Sequence, residues 1–199
     1  MMYEESTGAV LTRAGLRVRI TLVKPFKRSV LLGASSAIAL VGMPLLTRFV
    51  EAAQQRLDPD DLQTLNAAIE LERAGIKAYL DAAATGLLTP NILQVTQGFI
   101  ADHSAHRDAL VAAVLGGGGE PTARTLALVY PALRTQADIL EFALVVEGKA
   151  ASTYLSVIPD LKNRDLAGVA ASILGVETTH IGVLSTALGK RVFPSHFVS

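Results

Sequence analysis

The chain has 199 residues, 50% of them hydrophobic and 18% charged, which is enough apolar material to bury a core and excludes a disordered, solvated chain. Lys plus Arg equal Asp plus Glu at 18 each, so the basic excess of a nucleic-acid binder is missing and no nucleic-acid partner is expected. The absence of cysteine excludes disulfide scaffolds, thiolate nucleophiles, cysteine-bound zinc and iron–sulfur clusters; a metal would have to be held by carboxylates and by His103, His106, His180 or His196.

In chain order, the first element is a leader. Arg13, Arg17, Arg19, Lys24, Lys27 and Arg28 outweigh Glu4 and Glu5, and an uncharged run from Ser29 to Leu46 follows at once. That order reads as an export signal or a membrane anchor over residues 1–52. Gly33, Ser35, Ser36, Gly42 and Pro44 make the run softer than a typical stop-transfer helix, which favours a cleaved signal. Lys27-Arg28-Ser29-Val30-Leu31-Leu32 looks like a twin-arginine motif with lysine in the first position, and Val50-Glu51-Ala52 offers a cleavage point. An uncleaved helix would instead anchor the protein in the membrane through residues 29–50. Either way the domain is expected outside the cytoplasmic membrane, in the periplasm or on the outer membrane face.

Residues 53–189 read as an all-α domain of four helices, followed by a tail over 190–199. The first helix is expected over 59–84, stopped at Thr85-Gly86; Thr89-Pro90 then opens a second over 91–115, halted by Gly116 to Gly119. The third is expected over 137–158, ending before Pro159, and the fourth over 165–188, ending at Gly189. A short apolar patch, Leu126 to Tyr130, is the one stretch that could be a strand. The connections are short, long, short, which is the pattern of two helical hairpins joined by a crossover.

Polar residues interrupt each core stripe at its middle. The first stripe runs Leu62, Leu65, Ile69, Glu72, Ile76, Tyr79, Ala83; the second runs Ile92, Val95, Phe99, His103, His106, Leu110, Ala113. The third is Leu140, Leu144, Glu147, Ala151, Tyr154, Ile158, and the fourth Leu166, Ile173, Glu177, His180, Leu184, Ala187. A lone buried carboxylate costs several kcal/mol or neutralises itself, so three at one level call for a cation. Glu72, His103, His106, Glu147, Glu177 and His180 are therefore the candidate metal ligands. Glu70 and Glu141 fall off the stripes and are expected in solvent, Asp102, Arg107 and Asp108 flank the histidines on outward faces, and His196 is expected to be a surface or packing residue.

The halves also repeat. Ala68 to Leu80 overlays Ala143 to Leu155 at an offset of 75, and His103-x-x-His106 overlays Glu177-x-x-His180 at an offset of 74. A glutamate on two helices and Glu-x-x-His on the other two resembles the ferritin-like superfamily, and within it the small exported bacterial proteins related to the desiccation-associated group, which share an Ala-Tyr pair two turns after the first glutamate (here Ala78-Tyr79). The resemblance covers residues 57–189. It implies a ferritin-like four-helix bundle with a dinuclear carboxylate site in which Glu72 and Glu147 are the single glutamates, Glu177 and His180 one Glu-x-x-His, and His106 the histidine of the other.

His103 departs from the pattern, because the family has a bridging carboxylate there. Three carboxylates against two divalent ions leave one positive charge uncompensated, so a second ion should bind more weakly; His103 is expected to bind a metal directly, the alternative being a hydrogen bond from its ring to a ligand glutamate. The implied cofactor is iron, as one or two ions, with manganese or zinc as alternatives. Oxygen, peroxide or stress-related redox chemistry is the function the resemblance implies, while a non-catalytic envelope interaction module with a structural metal or none is the other reading. Tyr79 and Tyr154 are read as core residues with satisfied hydroxyls, or else as hydrogen-bond donors to opposing ligands or a redox relay. The sequence leaves the oligomeric state open.

Overall fold

The computed structural model describes residues 56–192. The basic leader, the apolar run, the Lys27-Arg28 motif, the Val50 to Ala52 cleavage point and the tail residue His196 all lie outside the described residues.

Four helices make the domain: α1 (Pro59–Ala84), α2 (Pro90–Gly116), α3 (Gln136–Val157) and α4 (Arg164–Ala187). Their starts follow from local chemistry. The Asp58 carboxylate accepts from the Asp60 amide ahead of Pro59, Thr135 and Asp138 form a reciprocal capping box, and Asn163 accepts from the amides of Asp165 and Leu166. Thr89 occupies the N-cap position of α2, but its side chain makes no capping bond, so the fixed φ of Pro90 marks that start. Gly86 and Gly189, at φ 71° and 66°, take the left-handed conformation that ends α1 and α4.

Helix directions are fixed by contacts at the two ends of the bundle. The Leu57 amide donates to the Gly117 carbonyl, so α1 starts where α2 ends. The Thr89 amide donates to the Gln136 side chain, so α2 and α3 start at the same end and run parallel. Helix α1 packs on α2 and on α3, and α4 packs on α3 and on α2, leaving α1/α4 and α2/α3 as diagonals.

The crossover, residues 117–135, climbs along α1. Asn66 bonds Glu120 and Thr122, Arg73 donates to the Arg124 carbonyl, and the Tyr130 hydroxyl donates to Asp81. Glu70 is part of this seam and not a solvated residue: its carboxylate accepts from Thr122 Oγ1 at 3.1 Å and its carbonyl from the Leu126 amide. With its route set by α1, the Leu126 to Tyr130 patch forms no strand, and Leu126 and Val129 are exposed. Glu141 is exposed as expected, paired with Lys190.

Two apolar clusters fill the bundle. One gathers Leu65, Ile69, Leu110, Val114, Leu166 and Ile173, and the other gathers Tyr79, Phe99, Leu140, Ala143 and Leu184. The interrupting polar residues lie between them in sequence on every helix. Asp61, 2% exposed, fastens α1 to the α3–α4 turn by accepting from the amides of Lys162 and Asn163, each at 2.9 Å. Asp61→Ala removes the acceptor of two amides in a part-buried turn and should lower the unfolding free energy by about 1–3 kcal/mol, read as a lower urea midpoint at unchanged slope.

Candidate metal centre

The structure brings all six interrupting residues together. Glu72 comes from α1, His103 and His106 from α2, Glu147 from α3, and Glu177 and His180 from α4. The three carboxylates are at most 1% exposed and His103 and His180 are 2% exposed; His106 is the partly exposed member. Ligand-type atoms fall into two groups, each within 4.8 Å: Glu72, His103, His106 and Glu177, and then His103, Glu147, Glu177 and His180.

Glu177 lies between the two groups. Its Oε1 is 3.2 Å from His106 Nδ1 and its Oε2 is 3.5 Å from His180 Nδ1. His103, its counterpart in the repeat, faces it with both ring nitrogens engaged: Nδ1 at 2.7 Å from Glu72 Oε2 and Nε2 at 3.3 Å from Glu147 Oε1. Room for that ring comes from Gly75, where a Cβ would sit 3.2 Å from the ring atoms.

The tyrosines cross-brace the halves. The Tyr154 hydroxyl donates to Glu72 Oε1 at 2.5 Å, and the Tyr79 hydroxyl donates to Glu147 Oε1. Each terminal glutamate thus has one oxygen held by the opposite half and the other turned toward the cluster. Both tyrosines are core residues with satisfied hydroxyls, and the acceptors are carboxylates of the opposite half.

Sequence reasoning placed Asp102 on an outward face and missed its contact. Its carboxylate reaches across from α2 to His180 Nε2 at 3.1 Å, which turns Nδ1 of His180 toward the cluster as the lone-pair nitrogen of the neutral ring. The residue before a histidine on another helix carries no sequence signal for such a bond. Phe99 stacks on the other side of His180, ring centroids 3.9 Å apart, and shields it from water.

The electrostatics show how much charge is packed here. Burial pushes the Glu72 carboxyl up, but the His103 and His106 bonds outweigh it and hold it down at about 2. Burial raises Glu147 too, and His103 and His180 bring it well below the usual range; at Glu177 burial wins and its carboxyl is raised. Burial lowers the three imidazoles, yet the facing carboxylates lift His103 to about 11 and His106 and His180 to about 9. Burial, with the adjacent carboxylates, pushes both tyrosine hydroxyls well up, so they stay protonated donors.

Even so the cluster does not satisfy itself. Five of its buried atoms have no hydrogen-bond partner among the described residues: His106 Nδ1, His180 Nδ1, Glu147 Oε2 and both oxygens of Glu177. The carboxylate oxygens, and the imidazole nitrogens once they release their protons, are donors of ligand type, and they converge from three helices. Buried polar atoms are rarely left so, and this donor set fits a divalent cation.

Residues 60–190 match the ferritin-like domain family. The chain belongs to that family. Among solved structures, a ferritin-like diiron-carboxylate protein from Bacillus anthracis is 21% identical over 65% of this chain and 95% of its own, with a TM-score of 0.58. The bacterioferritin BfrA of Mycobacterium tuberculosis is 21% identical over 66% of this chain and 86% of its own, with a TM-score of 0.60. A Rhodobacter capsulatus bacterioferritin, whose structure has a metal-free dinuclear site and haem iron, is 20% identical over 66% and 85%, with a TM-score of 0.61. No curated protein matches the chain.

The cross-brace yields a prediction. Tyr79→Phe and Tyr154→Phe each remove the donor to a buried carboxylate oxygen and should each cost about 1.5–3 kcal/mol in the metal-free protein, read by chemical unfolding. Equal costs at the two positions would match the repeat; no cost at either would show that the hydroxyls do not brace the glutamates.

Proposed function

We propose that the protein is an exported metal-binding member of its family, with non-haem iron held in the bundle and used in oxygen, peroxide or stress-related redox chemistry. The observation that carries this is the convergence of unpartnered ligand atoms, above all the two oxygens of Glu177 facing His106 and His180. Glu72, His106 and one Glu177 oxygen would hold an ion on one side, and Glu147, His180 and the other oxygen on the second, with His103 within reach of both. Bound iron would supply Lewis acidity and one-electron redox chemistry; manganese or zinc suits the same donors.

The chain's own part is positioning and exclusion. Tyr79 and Tyr154 hold one oxygen of each terminal glutamate so that the other faces inward, and Asp102 sets the ring orientation of His180. Apolar residues close the bundle on both sides of the cluster, so that ligand charge is not dissipated in water. The clustering of basic residues ahead of an apolar run, Arg13 to Arg28 and then Ser29 to Leu46, supports export to the periplasm or the outer membrane face.

Protein purified without chelators should carry iron, manganese or zinc in at least near-stoichiometric amount, and the iron form should change its absorption on exposure to oxygen. Metal content below a tenth of the chains, not restored by adding Fe(II), Mn(II) or Zn(II), would end this reading. Asp102→Ala should weaken ion binding by about 10-fold or more, measured by equilibrium titration, because His180 loses the partner that orients it. Cell fractionation should find the protein outside the cytoplasm; a soluble cytoplasmic chain with residues 1–52 attached would contradict export.

A further inference from the structure

We propose that the two halves of the cluster are unequal: Glu147, Glu177 and His180 form a tight metal position, while Glu72 and His106 form a weak one, because His103 occupies the oxygen that Glu72 would offer. This rests on the cluster being a metal centre, and concerns how its donors are divided.

The unpartnered atoms show the division. On the His180 side three stand together, His180 Nδ1, Glu147 Oε2 and Glu177 Oε2, with 3.4 Å and 3.5 Å from the imidazole nitrogen to the two carboxylates. On the His106 side only His106 Nδ1 and Glu177 Oε1 lack partners. The third donor there, Glu72 Oε2, accepts from His103 Nδ1 at 2.7 Å, while its Oε1 is held by Tyr154. With Oε1 on Tyr154 and Oε2 on His103, Glu72 has neither oxygen free of a side-chain partner, whereas Glu147 has one.

A second observation points the same way. His180 is oriented by Asp102, whereas the repeat puts Val176 where His106 would need the equivalent carboxylate. Asp102 reaches between helices to His180, whereas a valine side chain has nothing to donate or accept. His106 is also the more exposed imidazole, with 13% of its side chain accessible against 3% for His180, so water competes for its nitrogen more freely.

His103 is thus a positioning residue, acting through Glu72, and not a ligand of the Glu72 side. The missing side chain at Gly75 leaves the room its ring occupies. A carboxylate at position 103 could not donate to Glu72 and would free Oε2 while adding a fourth negative charge.

The test is anaerobic titration of the full chain with Mn(II), with free ion read from its electron paramagnetic resonance and bound ion from metal analysis after gel filtration. The native protein should bind one ion tightly and a second at least ten-fold more weakly. His106→Ala should leave the tight ion within about three-fold, whereas His180→Ala should weaken it more than ten-fold. His103→Glu should bring the second ion to within about three-fold of the first, with two bound per chain. Two ions of equal affinity in the native protein, or a tight ion lost with His106 and kept without His180, would overturn the proposal while leaving the metal centre itself standing. If His103→Glu fails to fold, the native count and the two alanine variants still decide. No binding of Mn(II) or Fe(II) to the native chain would remove both the metal centre and its division.

Discussion

Three glutamates at one level of a closed bundle are the constraint around which the rest of the structure is arranged. Each is at most 1% exposed, and a carboxylate taken out of water loses hydration worth several kcal/mol unless something replaces it. The chain supplies that replacement from every helix. Tyr154 and Tyr79 donate across the α1–α3 interface, His103 spans Glu72 and Glu147, and His106 and His180 approach Glu177 from either side. Among the described residues none makes a hydrogen bond to Glu147 Oε2 or the Glu177 oxygens, which the imidazoles approach only at 3.2–3.5 Å, and it is this shortfall that gives the site its chemical direction.

The repeat explains how so much polarity can be held in register. Glu72 and Tyr79 stand seven residues apart, as do Glu147 and Tyr154, so with α1 and α3 antiparallel each tyrosine meets the other half's glutamate. One spacing therefore makes two bonds. Three of the differences between the halves bear on the cluster: His103 stands for Glu177, Gly75 for Ala150 and Asp102 for Val176. The glycine makes room for a ring that replaces a carboxylate, and Asp102 orients the histidine on the opposite side.

Much of this was legible in the sequence. The helix ends lie within a residue of their expected positions because Pro59, Pro90, Gly86 and Gly189 leave the backbone little choice there, and the six cluster residues were visible as interruptions of apolar stripes. What failed to show were contacts that depend on which helices are neighbours. Asp102 sits on the outward side of α2 and finds His180 only because α4 packs beside it. Glu70 was expected in solvent because its partners, Thr122 and Arg124, come from a crossover whose path along α1 has no periodic signature. The engagement of both His103 nitrogens is likewise a property of the assembled cluster, since helical spacing places a ring but not its tautomer.

The central claim is that the partnerless donors in mid-bundle exist to hold a metal ion. Anomalous diffraction from crystals soaked with Mn(II) tests it most directly. The account predicts a peak enclosed by Glu147, Glu177 and His180, stronger than any on the His106 side. Well-ordered crystals with no anomalous density inside the bundle, or with ions bound only at surface carboxylates, would contradict it.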